Sequence, residues 1–417
     1  VDARAQAADS ALSCTPRFEK RRVVGNDAAE SRLVAGDNLP ALEWLRGEFE
    51  GRFRCIYLDP PFNTGRRFAE YDDARTPDAW RRFLGARLAA LRGLLAEDGA
   101  VFLEIDDSEL GAAIGLCDEV FGRACRVSII TLVRSASTGH KARNRGPVNV
   151  SDFILVYERA PGAWRCRPYR RARRDYDRAY RTFLVNPDAP DAEWTFEPLA
   201  RRVAGHLGHT TTRAARRVLG DVAVDAATAA FALRHRRNVV RFAQVRYEAV
   251  SHAARAAVDE SRRDPERVFR LRRAGFPDLV LRGGNRILFL SSKVVDTEDG
   301  PRIVEPLTNV WDDVPFQGIA REGGVVFSRN KKPERLIERV LDLATDVGDW
   351  VLDPFLGSGT TAAVAEKMGR RWVGIEQGDV LRSLAIPRLT RVVTGADATG
   401  IAARGAHPDG GGFSLYA

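Results

Sequence analysis

The stretch from Trp350 to Glu376 constrains the fold more than any other part of the chain. Trp350-Val351-Leu352 reads as a short buried strand that runs into Asp353. A turn containing Gly357 and Gly359 follows, then a helix over Thr360–Met368, then a second strand over Arg371–Ile375 that closes on Glu376. Strand, glycine turn, helix and strand in that order make one unit of a parallel α/β sheet. Glycines let the backbone approach a ligand closely, and a helix N-terminus offers free N–H groups. Asp353, Pro354, Phe355, Gly357, Ser358, Gly359 and Thr360 are therefore candidate cofactor-binding residues. Glu376, at a strand end, is placed to accept the hydroxyls of a ribose.

Gly357-Ser358-Gly359-Thr360-Thr361-Ala362 also fits the dinucleotide pattern G-x-G-x-x-A, and on that match alone a nicotinamide enzyme competes. The preceding Asp-Pro-Phe argues otherwise, because a carboxylate there repels a pyrophosphate and suits a cationic amino-acid moiety. No lysine follows the glycines, so a P-loop is excluded.

A second motif decides the chemistry. Asp59-Pro60-Pro61-Phe62-Asn63 follows the compact apolar strand Arg54–Leu58, at the end of a strand where α/β enzymes place their reactive groups. An amino group on an adenine ring is a poor nucleophile, because its lone pair is delocalised. A carboxylate (Asp59) and a backbone carbonyl (Pro60) that accept both N–H bonds draw the nitrogen toward tetrahedral geometry and localise that pair. Two consecutive prolines fix φ and hold the carbonyl in one direction. Phe62 can stack on the base. With an activated sulfonium methyl as electrophile, positioning and hydrogen bonding carry the rate, with no covalent enzyme intermediate.

Between the motifs the texture changes. Before it, the pattern predicts a strand at Arg32–Ala35 and a helix over Leu39–Phe49. A long amphipathic helix over Ala79–Glu97 stops at Asp98-Gly99, and strands follow at Ala100–Ile105, Val127–Val133 and Phe153–Tyr157. A basic loop spans Thr138–Val148. From Arg159 to about Asn309 arginines cluster with interleaved tyrosines, and strand–helix alternation is lost; it resumes with a helix at Pro333–Ala344. The expected organisation is an N-terminal arm (1–30), a catalytic half (31–158), an inserted domain (159–310), a cofactor-binding half (311–395) and an irregular Gly-rich tail (396–417).

The net charge of +9 and the pI near 9.6 favour a polyanionic partner. Arginine-rich, alanine-rich usage also follows from GC-rich codons, so the charge supports the reading without carrying it. Five cysteines without a C-x-x-C pair argue against a disulfide framework and a zinc site; no metal is expected. No apolar run approaches the ~20 residues of a membrane span, and the polar start of the chain does not read as a signal peptide. A cytoplasmic location is the expectation.

These residues resemble the β-class amino-methyltransferases of DNA, in which the catalytic motif precedes the cofactor motif. The chain is most similar to the modification subunits of type III restriction systems and their stand-alone relatives. Gly36-Asp37-Asn38-Leu39, the Ala100–Asp107 strand, the Lys332-Pro333 helix, Val373-Gly374-Ile375-Glu376 and Gly410-Gly411-Gly412-Phe413 carry the likeness alongside the two motifs. The resemblance implies a Rossmann-like methyltransferase fold, a mostly parallel doubly wound sheet with permuted motif order, and S-adenosylmethionine as cofactor. It implies that Asp37, with Asn38, holds the cofactor's adenine, and that Lys332 and Pro333 border its methionine end. The insert becomes a target-recognition domain. Double-stranded DNA is the implied partner, its base flipped out for reaction; a homodimer and a restriction endonuclease subunit are the further partners such a family allows. Ser151-Asp152 stand where such proteins often carry His-Glu.

Asp59 leans the target to adenine N6, since cytosine N4 enzymes more often carry Ser there. Methylation of protein glutamine or RNA is disfavoured, because those enzymes usually show Asn at that place and lack such an insert. A non-catalytic DNA-binding module is disfavoured by intact motifs at both sites.

Overall fold

The computed structural model describes residues 17–64, 66–67, 72–73, 75–135, 146–173, 175–297, 300–326, 331–405 and 411–417. Residues 1–16 of the expected arm, most of the basic loop, and Gly410 lie outside them. The chain divides into two units, Val1–Tyr169 with Thr308–Ala417, and Arg170–Leu307.

The first unit is built on a ten-stranded sheet. In chain order its strands are β1 (Lys20–Gly25), β2 (Arg32–Ala35), β3 (Phe53–Leu58), β4 (Leu95–Ile105), β5 (Arg126–Val133), β6 (Ser151–Glu158), β7 (Val310–Trp311), β8 (Trp350–Asp353), β9 (Arg371–Glu376) and β10 (Gly412–Tyr416). Their spatial order is β1-β10-β2-β9-β8-β3-β4-β6-β5-β7. The stretch from β10 to β4 is parallel, while β6 runs antiparallel to both its neighbours and β1 runs antiparallel to β10. This is the doubly wound, mostly parallel sheet of the expected fold.

Helices α1 (Asn38–Phe49), α2 (Pro77–Leu94), α3 (Leu110–Phe121), α4 (Glu334–Ala344), α5 (Thr360–Lys367) and α6 (Ile386–Val393) belong to the same unit. In α2, Trp80, Leu84, Leu88, Leu91 and Leu94 fall on one face and are fully buried. Each such side chain contributes about 1.5–3 kcal/mol through burial, far more than helix propensity. Thr76 caps the first turn by accepting from the Ala79 N–H, and Pro77 presets it.

The structure departs from the sequence expectation at two places. The helix expected to run to Glu97 ends at Leu94, and β4 begins at Leu95. Leu95 pairs with Phe53 while Ala100 pairs with Cys55, so the residues between them form a bulge. Gly99 belongs to that bulge: a Cβ there would lie 2.7 Å from the Phe53 carbonyl oxygen. It marks a close approach of two strands, not a helix stop. The second correction concerns the chain ends. The tail expected to be irregular forms β10, and the arm forms β1. Gly412 is required by packing, since a Cβ would sit 2.5 Å from the Asn26 nitrogen.

The second unit carries an antiparallel six-stranded sheet whose central strands are Val239–Gln244, Asn285–Phe289 and Phe276–Arg282. Its helices are Leu199–His206, Thr212–Leu219, Asp221–Arg234 and His252–Arg263. Among the described residues no helix is long and apolar enough to cross a membrane.

Candidate active site

The sheet brings the two motifs together. β3 and β8 are parallel neighbours, with Ile56 opposite Leu352, so Asp59 and Asp353 emerge at the same edge. β4, on the other side of β3, contributes Glu104.

The loop after β3 is held from several sides. The indole Nε1 of Trp80 donates to the Pro61 carbonyl at 2.7 Å. Asn63 has φ of 60°, the left-handed region that asparagine tolerates better than most residues. Its side chain accepts from the Arg75 N–H at 2.8 Å and donates to Glu109 Oε1 at 2.7 Å. The strained turn is thus fixed by both halves of the Asn63 amide.

The Lys332 ammonium sits between two carboxylates, 3.0 Å from Asp59 Oδ1 and 2.7 Å from Glu104 Oε1. It also lies 5.0 Å from the centroid of the Phe62 ring. Glu104 is fully buried, and its second oxygen accepts from the Tyr57 hydroxyl. Burial pushes the Asp59 carboxyl up to about 6, with Lys332 pulling against that rise. Burial alone would pull Lys332 down, but Asp59, Glu104 and Asp152 together hold it above the ordinary lysine range. Asp152 on β6 is fully buried, and burial pushes it up to about 7. Arg134 Nε approaches it to 2.6 Å, a close ion pair that lacks hydrogen-bond alignment.

In the glycine loop, Asp353 is buried and its carboxylate holds the turn, accepting from the Phe355 N–H at 2.9 Å; burial pushes it up to about 7. Glu376 reaches back to the same loop, accepting from the Gly357 N–H at 2.6 Å and from the Gln377 N–H at 2.8 Å. Gly359 adopts φ of 84° immediately before α5, a conformation that favours glycine. Ser358 Oγ lies 3.4 Å from Thr360 Oγ1, which accepts from Arg388 Nη1 at 2.7 Å. Pro333 immediately precedes α4.

Asp37 caps α1, accepting from the Leu39 N–H at 2.8 Å, and pairs with Arg87 Nη2 at 3.2 Å. Asn38 Nδ2 donates to the Pro354 carbonyl at 2.8 Å, and its oxygen accepts from Arg87 Nε. The Arg87 guanidinium lies 3.7 Å from the centroid of Phe83, and Phe83 packs on Phe355 at 6.0 Å. Asn38 and Arg87 therefore tie the glycine loop to α1 and α2.

The ammonium of Lys332, a residue expected at the methionine end of the cofactor, meets the carboxylate of the Asp-Pro-Pro-Phe loop. Arg87 and Glu104 were not picked out from the sequence. Arg87 had a signal, as a charged residue three positions after Leu84 and seven after Trp80 on an otherwise apolar helix face. Glu104 had one as well, a carboxylate inside the apolar run Val101-Phe102-Leu103-Glu104-Ile105.

The glycine loop fits an S-adenosyl group by its own features. A Cβ on Gly357 would meet only the Phe355 oxygen, at 4.0 Å, so the turn leaves room beside its backbone. The α5 N-terminus and the Glu376 carboxylate stand next to it.

The N6/N4 DNA methylase family profile matches residues 53–219 and 286–386, and the chain belongs to that family. It is 28% identical to a Haemophilus influenzae protein named as the Mod subunit of a probable type III restriction-modification enzyme, HindVI, over 96% of this chain and 55% of that one. It is 26% identical to the type II methyltransferase M.EcaI of Enterobacter cloacae, over 91% of this chain and 76% of that one. Among solved structures, the cytosine-N4-specific PvuII DNA methyltransferase aligns over 90% of each chain at 13% identity, with a TM-score of 0.42. The chain thus spans about half the length of the HindVI relative.

Proposed function

We propose that the chain is a site-specific DNA methyltransferase that transfers a methyl group from S-adenosylmethionine to the N6 amino group of adenine. The observation that carries this is the juxtaposition of a partly exposed carboxylate, Asp59, and a glycine cofactor loop at the ends of two adjacent parallel strands. Bound there, S-adenosylmethionine supplies a methyl carbon already activated by its sulfonium. The chain's own residues do the rest. Asp59 and the Pro60 carbonyl accept the two N–H bonds of the target amine, Phe62 stacks on the base, and Asp59 takes the proton released afterwards. Asp353, Asn38 and Glu376 hold the loop that receives the cofactor, and Asp37, Ser358, Thr360 and Pro333 flank it. A base inside a duplex cannot reach this loop, so the target is flipped out at a cost of about a few kcal/mol.

The Asp at the first motif position and the likeness to a type III Mod subunit support adenine over cytosine N4. The discriminating experiment is to digest DNA from cells expressing the chain and identify the methylated nucleoside by mass spectrometry. N6-methyladenine is expected; N4-methylcytosine would move the target to cytosine, and the absence of both methylated nucleosides would overturn the reading.

The Arg170–Leu307 unit is the target-recognition domain in this reading, making phosphate contacts and reading base edges with a minority of its side chains. Duplex affinity should then fall steeply with salt, roughly 0.9 log units per log unit of salt for each phosphate neutralised. A flat response in a fluorescence-anisotropy titration would remove DNA as its partner. A restriction subunit remains a partner to test by co-purification.

A further inference from the structure

We propose that Lys332 and Glu104 are positioning residues for Asp59: the lysine ammonium, anchored on the buried Glu104, fixes the Asp59 carboxylate as a charged acceptor for the target amine. This rests on the methyltransferase reading above.

The geometry is asymmetric in a way that a simple ion pair is not. One ammonium serves two carboxylates, at 2.7 Å and 3.0 Å. Glu104 has no exposed surface, and its other oxygen is held by Tyr57. A buried charge without a partner costs several kcal/mol, so Glu104 keeps Lys332 in place. The Asp59 side chain keeps 23% of its surface open, so it is the member of the pair that can meet a substrate. A carboxylate offers about four acceptor positions; Lys332 engages one oxygen, and the amine of the flipped base can approach the carboxylate from its open side.

Two opposing demands explain why both partners are present. A carboxylate taken out of water tends to protonate, and a protonated Asp59 would accept poorly from the amine. The adjacent cation opposes that. A cation acting alone would bind the Asp59 carboxylate more tightly and compete with the target amine for its oxygens. Glu104 takes a share of the Lys332 charge and leaves the outer side of Asp59 available as an acceptor. Among the described residues, the other charged groups that act on Asp59 are Arg134, which works with Lys332, and Asp353 across the adjacent strand; Asp152 acts on Lys332 from β6.

The test uses the full chain and the variants Glu104→Gln, Lys332→Met and Lys332→Arg, with calorimetric S-adenosylmethionine binding as the check that each is folded. Two quantities are read: the pH profile of kcat/KM for DNA methylation, and the ¹³C carboxyl titration of Asp59 without ligand, assigned with Asp59→Asn. Glu104→Gln should move both to lower pH, on the order of one pH unit. Lys332→Met should move both to higher pH and lower kcat at neutral pH by about tenfold or more; Lys332→Arg should recover part of it. Unmoved titrations in both Glu104→Gln and Lys332→Met would overturn the proposal. So would a Lys332→Met effect confined to the KM for S-adenosylmethionine. If the wild-type chain methylates no DNA, the functional reading fails, while the Asp59 titration still decides the role of Lys332 and Glu104.

Discussion

Asp59→Ala should reduce methyl transfer on the order of a thousandfold while S-adenosylmethionine binding stays within a few-fold of wild type. The carboxylate is assigned to accept from the amine and to take its proton, so its removal leaves the nitrogen conjugated and poorly nucleophilic. The cofactor loop should hardly notice. Its turn is held by Asp353, Glu376 and Asn38, none of which needs Asp59. Transfer of labelled methyl to DNA, alongside calorimetry with S-adenosylmethionine, separates the two effects. Retained turnover would remove Asp59 from the chemistry, and lost cofactor binding would mean that the two loops are one structural unit.

Glu334→Ala should destabilise the first unit by about 3–5 kcal/mol, measured as a fall in the urea midpoint of unfolding. Glu334 is fully buried and accepts from Lys367 at 2.9 Å on both oxygens, from Arg388 Nη2 at 2.8 Å and from the Ile401 N–H at 3.0 Å. Lys367 also pairs with Asp397 at 2.6 Å. Removing the shared anion leaves Arg388 without its carboxylate and Lys367 with one of its two, all out of water. The damage should reach the glycine loop, because Arg388 donates to Thr360. Glu334→Gln keeps the shape and part of the hydrogen bonding, and should lose less. A midpoint within error of wild type for the Ala variant would show that water enters and solvates the cluster.

Where a residue's job is set by its neighbours in the chain, the sequence was readable. The apolar runs of β3, β8 and β9, the glycine turn and the Asp-Pro-Pro-Phe loop follow from local pattern, and the parallel sheet follows from their order. What pattern could not supply is what distant segments do to one another. Gly99 looks like a helix stop until Phe53 is placed beside it. Gly412 looks like loose tail until Asn26 approaches. Lys332 is one basic residue among 65 until the fold sets it between Asp59 and Glu104. Asp353, legible as part of the glycine loop, is occupied with that loop's own backbone.

The pairing of the edge strand β1 with its neighbour β10 bears on how such a chain could have been assembled. Glu19 and Ala417 exchange two backbone hydrogen bonds, of 3.1 and 3.0 Å, beside the β1–β10 pairing. A chain that ran from β10 directly into β1 and was opened between β6 and β8 would keep every strand pairing of this sheet, with its glycine loop ahead of its Asp-Pro-Pro-Phe loop. Gene rearrangement can therefore reshuffle the order of the two motifs while the reaction centre stays in place.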